Sequence, residues 1–418
     1  MDIQTVKALA GPEGHELLSA LPPYDESTVL SLQGRLREAG YSPELVAAAL
    51  TQQRLRHRAR AKFGEFADGM LFTPDGLEQA TRLEVAAAHA SRYAAASLAT
   101  VHDLGCGIGA DAMTMSSLGV TVHGVDVDPV TAAIADANLR PWPDSRARPG
   151  RAEDFEPPAD PLRSRVGVWL DPARRTPGIA DARGRTRRVF RLDEISPSWE
   201  TVLDMATAVP ATGVKMSPSL PHDVPPLGTE AQWVSYDGTL LECSVWWGPL
   251  VRSAGRTALV MRHGAPSVRV DQTQADEDPP SVDSLGALGP HLYEADRAIV
   301  RAGLVGAVTA EVGGAEAEPG LGLVSSERAA QLPFARGYRV VEAMPYNIKA
   351  LRGWLRERGI TGLTIKKRGM RIDDDALRRS LKIGRGAGNG AQAVVILTRV
   401  AGEQAVLVVE PDGPAPQD

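Results

Sequence analysis

The chain has 418 residues, a formal net charge of −6 and two cysteines. At about 150 residues per domain, this length predicts two or three domains. Two cysteines, Cys106 and Cys243, are too few for a disulfide framework and lack the paired spacing of a zinc site. No uncharged apolar run approaches the roughly 18 residues of a membrane span. We therefore expect a cytoplasmic protein with no metal site and no membrane anchor.

Residues 1–98 are predicted to form a helical region. The chain between residues 14 and 98 is rich in Ala, Leu and Arg and poor in β-branched residues. Apolar residues recur at spacings of three and four in PELVAAALTQQRLRHRARAKF and GLEQATRLEVAAAHASRYAAA. This periodicity is typical of amphipathic helices.

Residues 99–270 are predicted to form an α/β domain. Short β-branched runs alternate there with helical stretches, and the runs are TVHDLG, VTVHGVD, VGVWLDP and GVKMSP. This alternation predicts parallel strands joined by crossover helices. The stretch AQWVSYDGTLLECSVWWG then indicates an antiparallel hairpin about Asp237-Gly238, and RTALVMR and SVRVDQ are candidates for further strands.

Residues 271–321 are predicted to be an exposed connection, because the acids, prolines and glycines of QTQADEDPPSVDSLGALGP leave nothing to pack. Residues 322–410 are predicted to form an α+β unit with helices in NIKALRGWLRERG and DDDALRRSLKIG. Between residues 331 and 400, fifteen Lys or Arg residues stand against five acids, a local charge of +10. Such asymmetry indicates a module that faces a polyanion.

Three glycines follow the first predicted strand of the α/β domain. Gly105, Gly107 and Gly109 are predicted to form a turn that lets a ligand approach the backbone and the N-terminus of the next helix. With Ala110, this run also satisfies the dinucleotide fingerprint, and Asp126 lies near the distance expected for a ribose-binding acid. A nicotinamide or flavin enzyme is therefore an alternative.

The aspartates near this turn favour S-adenosylmethionine, a cation without a pyrophosphate. Asp103 precedes the turn by two residues, where a carboxylate repels phosphates and attracts an ammonium group. Asp126 can accept both ribose hydroxyls, and Asp154, where the third strand should end, can accept from the adenine amino group. The plainer interpretation is that the glycines allow tight packing and that the aspartates cap helices, as we expect of Asp128.

The stretches DLGCGIGADAM, GVDVDP and VWLDPARR resemble class I S-adenosylmethionine-dependent methyltransferases. The stretch VEAMPYNIKALRGWLRERGITGLTIKKRG resembles the THUMP-like domain that one prokaryotic family of these enzymes carries after the catalytic domain. The resemblance implies a Rossmann-like methyltransferase sheet with an N-terminal helical lead-in, a C-terminal α+β THUMP-like domain and S-adenosylmethionine as cofactor. MLFTPDGLEQATR also resembles the family, which implies that Gln79 and Thr81 face the ligand.

Asp171 and Pro172 in WLDPARR occupy the place where amino-group methyltransferases carry an Asp/Asn-Pro-Pro-aromatic motif. Ala173 and Arg174 replace the second proline and the aromatic residue, so Arg174 is left to stack on a base or to hold a phosphate. Ring nitrogens or guanine are therefore alternatives to an exocyclic amine of adenine or cytosine as the acceptor. Lys215 in VKMSPS ends the fifth strand. It either binds a substrate phosphate, orients Asp171 or lies at the strand end with no such role.

Two basic segments are candidates for contact with RNA. One is the arginine-rich stretch from Arg174 through Arg175 to Arg191, and the other is Lys366, Lys367 and Arg368 in IKKRGMR. Solvated surface is the alternative for both, as it is for the GRGAGNG loop. His102, His123 and Cys106 are predicted to be buried and hydrogen-bonded without a catalytic role.

The leading hypothesis is a methyltransferase that modifies a nucleobase in structured RNA, either transfer or ribosomal RNA, with Asp171, Pro172 and Lys215 as its catalytic residues. One alternative keeps the enzyme and changes the acceptor to a small molecule or a protein. Another is an RNA-binding protein whose cofactor pocket is vestigial, because the acceptor motif departs from the family pattern.

Overall fold

The computed structural model describes residues 1–159, 165–174, 192–383 and 391–412. The chain divides into two compact units. The first contains residues 1–216 and 244–252, and the second contains residues 217–243 and 253–418.

Helices fill the described residues before the first strand, as predicted. Their bounds are α1 Ile3–Ala10, α2 Pro12–Ala20, α3 Val29–Glu38, α4 Pro43–Phe63, α5 Pro74–Gln79 and α6 Leu83–Ala95. Side-chain oxygens of Asp2, Ser42 and Thr73 accept from backbone N–H groups in the first turns of α1, α4 and α5. These caps explain where the three helices begin.

The rest of the first unit alternates strands with helices. Its further elements are β1 Thr100–Leu104, α7 Ala110–Ser117, β2 Thr121–Asp126, α8 Pro129–Asn138, β3 Arg146–Pro149, β4 Val166–Leu170, β5 Ala173–Arg174, β6 Ile195–Ser196, α9 Trp199–Ala208 and β7 Thr212–Met216. The order across the sheet is β7-β4-β1-β2-β3, and all of these pairs are parallel. The predicted α/β alternation is confirmed.

Two amide side chains hold the segment that enters α5. Gln52 of α4 exchanges hydrogen bonds of 2.8 and 2.9 Å with the backbone of Phe72. Asn138 of α8 accepts from the Leu71 N–H at 2.7 Å and donates to the carbonyls of Leu71 and Ile108. Because all these groups are buried, the N-terminal helices and the glycine turn form one packed layer.

The second unit contains the remaining strands. Its elements are β8 Glu230–Tyr236, β9 Thr239–Trp246, β10 Gly255–Met261, β11 Val268–Asp271, β12 His291–Ala295, α10 Arg297–Ala302, α11 Gly306–Val312, β13 Ala315–Glu316, β14 Leu323–Ser326, β15 Ala335–Pro345, α12 Ile348–Glu357, β16 Ile360–Lys367, α13 Asp374–Leu381, β17 Ala391–Val400 and β18 Glu403–Pro411. The last residues of β9, from Ser244, belong to the first unit. Asp237 and Gly238 join β8 to β9 with φ of 46° and 71°, as the predicted hairpin turn requires.

Seven strands of this unit form a sheet in the order β13-β14-β12-β15-β18-β17-β16. Helices α12 and α13 cover it with Leu351, Leu355, Leu377 and Leu381, all of which are buried. The predicted α+β arrangement is therefore confirmed. Among the described helices, none has the length and apolar character needed to cross a bilayer.

The prediction that residues 271–321 form an exposed connection is wrong for the second half of that segment. Leu292 and Tyr293 of β12 are fully buried, and Ile299 of α10 is too. Asp296 caps α10 and accepts from the Ser235 hydroxyl at 2.6 Å. The strand is short and follows a run rich in proline and glycine, which hid its alternating pattern. The predicted domain boundaries themselves remain a prediction.

Candidate functional site

The three glycines form the predicted turn. Gly105, Gly107 and Gly109 have φ of 97°, 56° and 88°, a region that side chains rarely adopt. A Cβ atom on Gly105 would lie 2.9 Å from the carbonyl oxygen of Asp171, whereas one on Gly107 would meet open space. The turn thus packs against the residue that follows β4 and leaves its middle open to a ligand.

Asp126 holds the turn from the end of β2. Its carboxylate accepts from the N–H of Gly107 at 3.0 Å and from that of Asp128 at 2.9 Å. Burial raises its pKa. Each carboxylate oxygen can accept more than one hydrogen bond, so the predicted ribose contact stays open to it. Asp128 accepts from Thr131 N–H and caps α8, as expected.

Asp103 is a buried carboxyl group without a partner. It is 1% exposed, and neither of its oxygens has a hydrogen-bond partner within the described residues. Burial raises its pKa well above the usual value, and the charges of Asp111, Asp171 and Asp126 act in the same direction. An isolated buried carboxylate is costly, so this position fits a cationic group that would offset the cost.

Lys215 contacts the predicted acceptor residue. Its ammonium group donates to Asp171 Oδ2 at 2.6 Å and to Thr81 Oγ1 at 3.3 Å. The lysine side chain is 18% exposed and that of Asp171 is 36% exposed. Of the three roles considered for Lys215, the contact supports the one in which it orients Asp171.

His89 and Asp111 extend this polar chain, and the sequence reasoning missed both. His89 Nδ1 lies 2.8 Å from Asp111 Oδ1, and Thr81 also bonds to Asp111. Burial acts to raise the pKa of Asp111, but the hydrogen bond and charge of His89 and the charge of Lys215 lower it overall. The ammonium of Lys215 cannot accept, so the Thr81 hydroxyl accepts from Lys215 and donates to Asp111.

Asp154 lies at a cavity of about 290 Å³ that His102, His123, Arg148 and Phe155 also line. The rings of His102 and Phe155 are 4.8 Å apart. Burial, with His123 and Arg148 nearby, lowers the pKa of His102 to about 4. The prediction that His123 is buried is wrong, because its side chain points from β2 into this open cavity. An aromatic lining beside a carboxylate fits a purine base.

The structure also describes the positions of three further predicted site residues of the first unit. Gln79 is exposed at the end of α5, and Pro172 is half-buried beside Asp171. The backbone of Arg174 pairs with Ile195 in the sheet of β5 and β6. Arg175 and the rest of the arginine-rich stretch to residue 191 lie outside the described residues, as does the GRGAGNG loop.

The basic cluster on β16 has acidic partners. Lys366 and Arg368 both pair with Glu294 of β12, and the Arg368 bond measures 2.8 Å. Lys367 pairs with Asp374 at 2.9 Å. Three cations thus share two acids within the domain, and the contact of this cluster with RNA remains a prediction. The sequence hid the pairing with Glu294, since that residue falls in the segment predicted to be unpacked.

Comparisons with known proteins give independent information. Residues 335–411 match the family described as THUMP domain-like, and residues 2–59 match a domain of unknown function, DUF8688. Over 374 residues the chain is 32% identical to a protein of Mycobacterium tuberculosis H37Rv described as an uncharacterised S-adenosylmethionine-dependent methyltransferase. That alignment covers 88% of this chain and 95% of the relative, and the counterpart in strain CDC 1551 gives the same values.

A solved structure from Porphyromonas gingivalis W83, assigned as a methyltransferase, has a TM-score of 0.71 with this chain at 19% identity. The match covers 94% of this chain and all of the other. At this identity the likeness shows the fold. Together with the THUMP-like match, it confirms the predicted fold class of a Rossmann-like sheet with a helical lead-in and a C-terminal α+β domain.

Proposed function

The chain belongs to the S-adenosylmethionine-dependent methyltransferases, and we propose that its acceptor is a nucleobase in structured RNA, such as transfer or ribosomal RNA. The family membership confirms the predicted enzyme class and cofactor. This membership therefore rules against two alternatives, a nicotinamide or flavin enzyme and a non-catalytic protein with a vestigial pocket.

Residues at the ends of the first strands would bind the cofactor. When bound, S-adenosylmethionine supplies a methyl group from its sulfonium centre. Asp103 would hold its ammonium group, because this carboxyl group is buried without a partner among the described residues. Asp126 would accept from the ribose hydroxyls and Asp154 from the adenine amino group, while Gly105, Gly107 and Gly109 let the ligand reach the backbone.

The observation that carries the RNA proposal is an unneutralised basic face on α12 and α13. Lys349, Arg352 and Arg356 recur at helical spacing on α12 and are exposed. Arg379 and Lys382 are exposed at the end of α13. None of the five has an acidic partner within the described ranges, in contrast to the cluster on β16. Such a face attracts a phosphate backbone through salt-sensitive contacts.

On the acceptor side, the Asp171 carboxylate would accept a hydrogen from the target amine and orient its lone pair, together with the Pro172 carbonyl. Lys215 holds that carboxylate in place at 2.6 Å. Arg174 would contact the substrate without the stacking that an aromatic residue gives. A small-molecule or protein acceptor remains the second candidate, because the aromatic position of the motif is occupied by Arg174.

Methyl-labelled cofactor tests the acceptor class. The protein is incubated with total RNA, total protein and a small-molecule extract from cells that lack it. The proposal predicts label in RNA, located in a base by nucleoside analysis. Label in the protein or small-molecule fraction alone would contradict it.

Replacing Asp171 by Ala tests the acceptor side alone. We expect Asp171→Ala to bind S-adenosylmethionine as the wild type does and to lose at least about a hundredfold in methyl transfer, because the group that orients the amine is gone. Titration calorimetry and initial rates give the two values. Wild-type turnover in this variant would refute the role.

A further inference from the structure

A basic face of α4 leads to the segment that carries Thr81. Arg54 and Arg58 are exposed and four residues apart, and Lys62 follows four residues later on the same side of the helix. Lys62 Nζ donates to the carbonyls of Leu77, Glu78 and Ala80 at 2.8, 2.6 and 3.0 Å. The end of this face is therefore attached to the chain immediately before Thr81.

That attachment connects the end of α4 at Lys62 to the acceptor side of the site. Thr81 bonds to Lys215, and Lys215 bonds to Asp171. Burial lowers the pKa of Lys62, and the nearby charges of Arg82 and Lys215 lower it further. Lys62 on α4, Arg82 before α6 and Lys215 on β7 are thus close enough to interact electrostatically. All three belong to the first unit.

Arg54 and Arg58 differ from two other arginines of the same helix. Arg60 pairs with Asp68 at 2.6 Å, and Arg56 donates to the Met70 carbonyl at 2.9 Å. Arg54 and Arg58 have no acidic partner in the part of the chain that the structure describes, and the sequence has no Asp or Glu between residues 44 and 65. The contacts with Asp68 and with the Met70 carbonyl give Arg60 and Arg56 a structural role. Among the described residues, Arg54 and Arg58 have no comparable contact.

We propose that a single strand of RNA follows α4, with its phosphates on Arg54 and Arg58, as it enters the acceptor site at Asp171. Four residues of helix rise about 6 Å, so the two guanidinium groups can each meet a successive phosphate of an extended strand. The contact would read no sequence and would set the position of the target nucleotide. This inference rests on the proposed function, in which the acceptor is RNA.

The test compares Arg54→Gln/Arg58→Gln with a matched control, Arg35→Gln/Arg37→Gln, which removes two exposed arginines of α3. RNA binding is measured without cofactor by fluorescence anisotropy over a range of salt concentrations. We expect the α4 variant to bind roughly tenfold more weakly and its salt slope to fall by about 1.4, which corresponds to two phosphate contacts on a single strand. The control should match the wild type.

Enzyme kinetics separate positioning from chemistry. The α4 variant should show a roughly tenfold higher KM for RNA, with kcat at saturating RNA and the Kd for S-adenosylmethionine within about twofold of wild type. Both variants should melt at the wild-type temperature, since the replaced side chains are exposed.

The outcomes distinguish this inference from the proposed function. If the wild type methylates RNA and the α4 variant keeps the same affinity and salt slope, the inference fails and the proposed function stands. An equal loss in the α3 control also overturns it, because the effect would then be one of net charge. If the wild type neither binds nor methylates RNA, both fail. A loss confined to an acidic protein acceptor would assign the face to that partner and overturn the RNA assignment.

Discussion

Asp103 on a strand of the first unit is buried, Glu294 on a strand of the second unit is largely shielded from solvent, and the two carboxyl groups have opposite surroundings. Glu294 of β12 receives Lys366 and Arg368 and a hydrogen bond from the Tyr338 hydroxyl at 2.8 Å. Although burial acts to raise its pKa, these cations lower it to about 2. Asp103 of β1 has no such partner within the described residues, and burial raises its pKa well above normal.

Under the proposed function, the difference separates Glu294, a structural acid, from Asp103, a binding acid that holds the cofactor's ammonium group. A carboxylate whose partners come from its own domain contributes to folding and is already satisfied when a ligand arrives. A buried carboxyl group without a partner costs stability in the free protein and recovers that cost when a cation binds. The distribution of partners, more than burial itself, therefore indicates where the ligand lies.

The largest expected effect comes from removing the structural acid. Glu294→Gln leaves Lys366 and Arg368 without their shared partner, so we expect a loss of about 3 kcal/mol in the free energy of unfolding, measured with urea. The control Glu410→Gln breaks the exposed pair with Arg339 and should cost at most about 0.5 kcal/mol. Equal losses in the two variants would remove the basis of the comparison.

Removing the carboxylate of Asp103 should weaken cofactor binding without destabilising the free protein. Asp103→Asn is expected to weaken S-adenosylmethionine binding roughly thirtyfold, which is about 2 kcal/mol, because a charged partner of the cofactor's ammonium group is lost. The free variant should be at least as stable as the wild type, since it no longer buries an ionisable group. Titration calorimetry and thermal melts measure the two effects. A destabilised variant with full affinity would reverse the assignment.

A third carboxyl group sharpens the comparison. Asp111 is buried in the first unit and has hydrogen-bond partners there. Thr81→Val removes the hydroxyl between Asp111 and Lys215 and keeps the shape of the side chain. We expect kcat to fall about tenfold with an unchanged Kd for S-adenosylmethionine, since Lys215 then holds Asp171 less firmly. The control Thr81→Ser keeps the hydroxyl and should keep most of the activity. Similar rates for Val and Ser would mean that the bridge is not used.

The smallest effects are in the dependence of stability on pH, and the two acids should give opposite signs. The pKa of Glu294 is lowered from 4.5 to about 2, so its contribution is complete above pH 4.5 and is lost as the pH falls towards 2. The pKa of Asp103 is raised above 3.8, so the folded protein keeps a proton that the unfolded chain releases. Its contribution to the free protein is therefore lost as the pH rises above 3.8.

Urea midpoints across this range check both signs. Relative to wild type, Glu294→Gln should flatten the acidic side of the stability profile, and Asp103→Asn should flatten the decline at higher pH. If either variant leaves the corresponding limb unchanged, the pKa shift assigned to that residue is wrong.

Local patterns predicted the parts of the fold that depend on neighbouring residues. The apolar periodicity gave α4 its observed bounds, Pro43–Phe63, and the β-branched runs gave the parallel strands of the first unit. The glycine turn was predictable because positive φ and a close backbone approach require glycine, as at Gly105. The acid at Asp103 was singled out by its position before that turn.

The missed features depend on residues that lie far apart in sequence. Glu294 is more than seventy positions from Lys366 and Arg368, so no local pattern shows that these cations share an acidic partner. His89 and Asp111 lie on different helices, and an acid in the first turn of a helix is common. Only the packed structure shows that Asp111 partners His89 and that Lys215 faces Asp171.

The most direct test of the central claim is the number of protons released when S-adenosylmethionine binds. Calorimetry in two buffers of different ionisation enthalpy, at a pH where Asp103 keeps its proton, measures this number. The account predicts that the wild type releases close to one proton and that Asp103→Asn releases almost none. Equal proton release by the two proteins would contradict the claim that this carboxyl group ionises to hold the cofactor's cation.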